Sequence, residues 1–444
     1  MKKILSFLLL FSVGILAGGY YSQKDKLPIL TGYAAKKACS CRFIGNRDLE
    51  SIMNYDLANA PLNLATVNIY EEEQTVEASV FGLGTSKAIY TKKLGCQLVH
   101  SKQNFELSSK KKTNNNNDEG ISTGFTITES KNKFSDETFK PIVNLAFDKE
   151  GEWLKQTRAL VIIQNDSLIA EHYASGFDKD SKLLGWSMTK SLCNALVGIL
   201  VKQGKLHLNK TALFEEWLDD KRRNISLTNL LQMTPGLEWD ENYKKISPAT
   251  QMLFEQDNMG DYAASYKSEF ESGSHWEYSS GTTNIIGKLI RDQFDSHEDY
   301  LDFPYVSLLD KLGINSFVME TDASGHYVLS SYCYGTPRDW AKLGLLYLND
   351  GIVNGDTILT KEWIDFSTTP TDASPEGKYG AQIWLNTNHN TLKDLPSDLY
   401  SFNGFEGQYV YMIPEKNAVI VRMGLSKGPH FDLNAMMKMI YDAL

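Results

Sequence analysis

Gly185-Trp186-Ser187-Met188-Thr189-Lys190-Ser191 leads directly into Leu192-Cys-Asn-Ala-Leu-Val-Gly-Ile-Leu200. The apolar run predicts one uninterrupted helix from Ser187 to Gln203. Residues three apart share a helix face, so the Ser187 hydroxyl and the Lys190 amine can meet. A serine hydroxyl becomes nucleophilic when a neighbouring base takes its proton, and a lysine amine can serve once burial or an adjacent charge lowers its pKa. At the first turn of a helix the serine also has backbone N–H groups and the helix dipole aimed at an incoming carbonyl. The Ser-x-x-Lys spacing alone is weak, for it recurs at Ser108, Ser109 and Ser130 in polar, loop-like sequence. Only Ser187 opens an apolar helix, where the ordinary reading is an N-cap serine followed by a surface lysine.

On either side of this helix the pattern is strand-like. Arg158-Ala-Leu-Val-Ile-Ile163 and Leu168-Ile-Ala-Glu-His-Tyr173 flank a Gln-Asn-Asp-Ser turn and predict a hairpin; Tyr409 to Ile413 and Ala418 to Met423 repeat the design around Pro414-Glu-Lys-Asn417. A helix is predicted over Pro337–Leu348, and another over Asn434–Leu444. Terminal strands enclosing a helical middle predict an α/β (α+β) fold: an antiparallel sheet flanked by helices, with an all-helical lobe.

Two further elements carry chemistry. Tyr278-Ser279-Ser280-Gly281 places a tyrosine that, beside a lysine, could share its proton, ionise more readily and act as base or acid; its ordinary reading is a buried tyrosine with a capping serine. Asn403-Gly-Phe-Glu-Gly-Gln408 precedes a strand, and its glycines would let the strand edge approach a substrate and offer a backbone N–H. Alone it could be an ordinary turn.

In chain order, Ser-Met-Thr-Lys at 187–190, Leu230-Leu-Gln-Met-Thr-Pro-Gly-Leu237, Tyr278-Ser-Ser-Gly281 and Gly404-Phe-Glu-Gly-Gln408 resemble the serine β-lactamase and penicillin-binding-protein-like superfamily. Within it, the chain is most similar to the class C-like branch that includes 6-aminohexanoate-dimer hydrolases and related esterases. The resemblance spans residues 140–444 and implies a β-lactamase/transpeptidase-like fold. It implies that Ser187 is acylated, that Lys190 is its lysine and that Tyr278 is the tyrosine of a Tyr-x-Asn element, with Ser280 where the family often has asparagine. It also implies an oxyanion hole from the N–H groups of Ser187 and Gln408, and substrate contacts at Tyr243, Ser280, Phe405, Glu406 and Gly407. Penicillin-directed members usually carry Lys or His two residues before the third motif's glycine, where this chain has Phe405, then Glu406. A small ester or linear amide is therefore the expected substrate. The alternatives are β-lactamase or D-alanyl peptidase action on cell-wall-like substrates, and a non-catalytic ligand-binding relative.

The 444 residues, 42% hydrophobic, can bury a large core. A net charge of −10 argues against nucleic acid as a partner. Met1-Lys2-Lys3 followed by the apolar run Ile4–Gly18 predicts a signal peptide or N-terminal anchor over residues 1–20, hence an exported protein, periplasmic or tethered to the membrane facing the periplasm. Residues 21–109 carry no recognised chemical motif, 110–139 contain a Lys- and Asn-rich linker, and 140–444 form the expected catalytic domain. Of five cysteines, one bridge is expected, Cys39 or Cys41 with Cys96; Cys39-Ser40-Cys41 lacks metal-site spacing, and no metal or cofactor is expected. Ser187 sits in Gly-x-Ser-x-Thr rather than a Gly-x-Ser-x-Gly elbow, and none of the eight histidines suggests a triad, which sets aside an α/β-hydrolase. Arg338-Asp339 is expected to serve ion pairing or helix capping.

Overall fold

A computed structural model describes residues 24–100, 124–426 except 132, 150 and 153, and 431–444. The expected export segment and the Lys110–Gly120 run lie outside the described residues.

Helix α1 (Leu27–Phe43) is rich in alanine and small residues, and Thr31, Gly32 and every position from Ala34 to Cys41 are buried. A helix without a polar face must be covered all round. Strands β1 (Ala65–Tyr70), β2 (Thr75–Val80), β3 (Leu83–Thr91) and β4 (Gly95–Leu98) form an antiparallel meander against it. Cys39 is bonded to Cys96, tying α1 to β4, while Cys41 stays a buried thiol.

The main sheet contains β5 (Thr128–Glu129), β6 (Thr157–Gln164), β7 (Ser167–Tyr173), β8 (Trp384–Leu385), β9 (Tyr400–Gly404), β10 (Gln408–Ile413) and β11 (Ala418–Gly424). Its order is β8-β9-β10-β11-β6-β7-β5, antiparallel except for β5 beside β7. The two predicted hairpins meet at β11 and β6, with Val421 opposite Val161. Further helices are α2 (Asp136–Ala146), α3 (Met188–Lys202), α4 (Pro248–Glu255), α5 (Ser280–Arg291), α6 (Pro337–Leu348) and α7 (Leu433–Ala443). Along β6, Ala159, Val161 and Ile163 enter one core, while Leu160 and Ile162 enter a second core beneath α2 and α7. Burial on both faces explains why β6 reads as a continuous apolar run rather than an alternation. β5 and α2, which fall in the expected 110–139 linker or straddle its end, join this body.

Helix α3 is buried from Met188 to Leu200 and lies between β9 and α5, so its first turn opens where the sheet meets the helical lobe. Helix α6 crosses β10 and β11, and Gly344 permits the approach: a Cβ there would meet Val410 and Val419 within 2.9 Å. Among the described residues, no helix is long and apolar enough to cross a membrane.

Candidate active site

Ser187 is the N-cap of α3, and the N–H groups of Met188, Thr189 and Lys190 donate to the carbonyls of Gly185, Trp186 and Ser187. Lys190 Nζ lies 3.1 Å from Ser187 Oγ, 3.0 Å from Ser280 Oγ and 3.0 Å from the Ser330 carbonyl oxygen. Lys190 is only 1% exposed, so it is not the surface lysine of the ordinary reading. Burial lowers its pKa from 10.5 to about 8, against the opposing pull of Glu241.

Tyr278 presents its ring face to the amine, with Nζ 4.8 Å from the centroid. Burial raises its pKa, only partly offset by hydrogen bonding to Ser187 and Trp384. The expectation that this tyrosine ionises more readily is thus reversed: the phenol stays protonated and suits an acid rather than a base. Ser280 opens α5 and accepts from Lys190, while its own hydroxyl and backbone N–H donate to the two oxygens of Glu241, the N–H at 2.9 Å. Tyr243 OH donates to Glu241 at 2.7 Å and lies 3.1 Å from Ser280 Oγ; Trp239 Nε1 donates to Glu241 at 2.7 Å. Glu241 is therefore the hub of the site's hydrogen bonds. The sequence reading passed over it, although it lies in Leu237-Glu-Trp-Asp-Glu-Asn-Tyr243, a carboxylate flanked by aromatic donors.

The third motif is framed differently from the expectation. β9 borders α3, and a Cβ on Gly404 would come 2.2 Å from the Gly185 carbonyl oxygen; Gly404 is thus the glycine of close approach, in place of Gly407. Asn386 N–H donates to the Leu399 carbonyl, so by the alternation of an antiparallel ladder Ser401 and Asn403 turn their backbone groups, and Phe405 its N–H, toward the β8 side, where no strand among the described residues pairs beyond Ser401. Gln408 pairs with Gly404 on β10, an interior strand, and its backbone faces β9; it does not offer an N–H to Ser187. Glu406 and Gly407 likewise turn inward. Glu406 is 7% exposed and accepts from Trp186 Nε1 at 3.3 Å, and the Gly407 carbonyl accepts from buried Arg422 at 2.6 Å. Phe405, by contrast, is 48% exposed, its ring centroid 5.7 Å from that of Trp186 and 5.6 Å from that of Tyr243. With Gly404 as the reference, the position two residues earlier is Phe402, fully buried against Tyr347. The missing cation stands in either frame.

Arg338 pairs with Glu171, and Asp339 accepts the N–H groups of Asn315 and Ser316. Both are structural, as expected.

The Beta-lactamase family model matches residues 155–438, well over half of the chain. The 6-aminohexanoate-dimer hydrolase of Paenarthrobacter ureafaciens is 22% identical over 300 residues, covering 62% of this chain and 74% of that protein. A Bacillus anthracis structure, provisionally described as a 6-aminohexanoate-dimer hydrolase, has a TM-score of 0.58 at 19% identity and covers 72% of this chain and 87% of its own. EstCE1, a hydrolase with promiscuous acyltransferase activity, has a TM-score of 0.54 at 14% identity and covers 69% and 97% respectively. The structural likenesses show a shared fold, and the family model spans both the Ser-x-x-Lys helix and the strands that flank it. The chain belongs to the Beta-lactamase family and is a serine hydrolase.

Proposed function

We propose that the chain hydrolyses a small ester or linear amide through an acyl-enzyme on Ser187. The observation that carries this reading is the buried Lys190 amine, 3.1 Å from Ser187 Oγ and shifted to a pKa of about 8. The neutral amine takes the Ser187 proton as Oγ attacks the carbonyl carbon, and the carbonyl electron pair moves onto oxygen. The N–H groups of Ser187 and Phe405 receive that oxyanion. Collapse expels the alcohol or amine, which takes a proton from the neutral Tyr278 phenol; Lys190 returns its proton to Tyr278. Water then attacks the acyl-enzyme with the same groups in reverse, releasing the acid and restoring Ser187.

Substrate class follows from the walls. Tyr243, Phe405, Tyr278 and Trp384 present aromatic surface, which suits apolar acyl or leaving groups. A β-lactam carboxylate would lose water on entry, at a cost of several kcal/mol without a cation to meet it. Neither Phe402 nor Phe405 supplies one. The protein is exported on this reading, supported by the Met1–Gly18 segment and by the Cys39–Cys96 bridge, a bond that persists in oxidising compartments.

The test compares p-nitrophenyl butyrate, a linear anilide and benzylpenicillin, with the adduct located by mass spectrometry. An ester or anilide adduct on Ser187, lost in Ser187→Ala, is expected. Phosphonate labelling of Ser187→Ala, or faster turnover of benzylpenicillin than of the ester, would overturn the reading.

A further inference from the structure

We propose that helix α1 is a working part of the active site, with Lys37 as a positioning residue that holds Trp186 and the Phe405–Gly407 turn against Ser187. This rests on the reading of Ser187 as the nucleophile. The N-terminal segment, which carries no recognisable motif, then supplies a device the catalytic motifs need.

Lys37 is 5% exposed, and its Nζ lies 5.2 Å from the Trp186 ring centroid, 3.9 Å from Glu406 Oε2 and 3.6 Å from Asp56 Oδ1. Trp186 Nε1 donates to the same Glu406 oxygen. Tyr33, one turn earlier on α1, brings its ring centroid 6.2 Å from that of Trp186. Trp186 and Glu406 both hold left-handed backbone, with φ of +48° and +62°. A bulky tryptophan persists there only when its surroundings hold it. One of these residues precedes the nucleophile and the other follows the N–H proposed to receive the oxyanion. A single cation on α1 therefore braces the backbone on both sides of the reacting carbonyl. Arg422 also grips the Gly407 carbonyl, so two cations from different parts of the fold hold the turn.

Asp56 pairs with Arg47 and Arg158 as well, and so keeps its compensation without Lys37. Removing Lys37 takes away the cation that α1 places between the Glu406 carboxylate and the Trp186 ring, so the Phe405 N–H shifts relative to Ser187.

The experiment measures kcat and KM for p-nitrophenyl butyrate per phosphonate-titrated Ser187, together with thermal melts, in Lys37→Met, Lys37→Arg and Lys37→Met/Glu406→Gln. Lys37→Met should lower kcat about 30-fold with KM changed less than about twofold, because misplacement acts on the transition state more than on binding. Lys37→Arg, still a cation, should recover to within a few-fold of the original enzyme. The double variant should recover most of kcat, since a neutral amide needs no counter-charge yet still accepts from Trp186. A merely structural role would lower the melting temperature of Lys37→Met and of the double variant alike while leaving kcat per titrated site unchanged; that result, or no recovery in the double variant, overturns the proposal. Ester turnover with Ser187 unlabelled in the unmodified protein would instead sink the nucleophile assignment on which it rests.

Discussion

Replacing Glu241 with glutamine should move the pH dependence of acylation downward. A lysine with a pKa of about 8 is neutral in about one molecule in ten at pH 7, against fewer than one in a thousand at the ordinary value. Glu241 works against this shift, because its carboxylate favours the ammonium form. Lys190 and Glu241 are joined through Ser280 Oγ by two hydrogen bonds in series, which sets the charges about 5 Å apart. At an effective dielectric of about 20, that separation gives an attraction of about 3 kcal/mol, or about two pH units. Tyr243 is 37% exposed beside the pair, so solvent reaches this corner and about one unit is the expected change. The sign is fixed: removing the anion makes the ammonium easier to deprotonate, and the rising limb of kcat/KM moves from about pH 8 to about pH 7. The assay is the profile of kcat/KM for p-nitrophenyl butyrate from about pH 5.5 to 10, which reports groups of the free enzyme. A limb that stays in place, or moves upward, refutes the coupling of Glu241 to Lys190.

Lys190→Arg cannot deprotonate, so kcat/KM should fall by about a thousandfold or more and the limb near pH 8 should vanish; a loss of only a few-fold would reduce Lys190 to an electrostatic role. Asp56→Ala leaves Arg47, Arg158 and Lys37 without their shared carboxylate and should cost about 3–5 kcal/mol, read as a lowered urea midpoint. Burial raises the Asp56 pKa, but Arg158, Lys37 and Arg47 outweigh it and hold the carboxyl well below the usual range. Its contribution is therefore present above the unfolded value of about 4 and is lost as pH falls toward the depressed folded value, so the original protein should lose more stability in acid than Asp56→Ala does.

The helix behind Ser187 and the two hairpins were legible because their patterns are local: one apolar run of helical length, and strand pairs joined by polar turns. Ser187, Lys190, Tyr278, Ser280 and Tyr243 do converge, since the short motifs that carry them sit at the ends of α3 and α5 and in the loop beside them. The third motif was misframed because two glycines, Gly404 and Gly407, lie three residues apart, and only the pairing of β9 with β10 tells which one meets Gly185. The direction of a backbone N–H depends on strand parity and on which edge is free, neither of which a single segment reveals. Glu241 was visible as a residue but not as a hub, because its partners come from three positions spread between Trp239 and Ser280. Lys36 and Lys37 offered one usable signal: two lysines inside Tyr33-Ala-Ala-Lys-Lys-Ala-Cys39, on a helix with no polar face to carry them into water. Asp56, beside Lys37, is near in sequence, but Glu320 and Glu406 lie hundreds of residues away and left no local trace.

The seam of the main sheet joins Thr157–Gln164 to Ala418–Gly424, with the helical lobe emerging between them. Its contact order is high, and the loop-closure entropy of bringing those strands together precedes any reward from their pairing. A ribosome must add the whole helical lobe after β6 before β11 exists to receive it. Helix α1 and β1–β4 can collapse earlier, their contacts with one another being near in sequence. Trp186 and the Phe405–Gly407 turn then arrive late, from opposite sides of the seam, and catalytic competence appears only when the last strand docks.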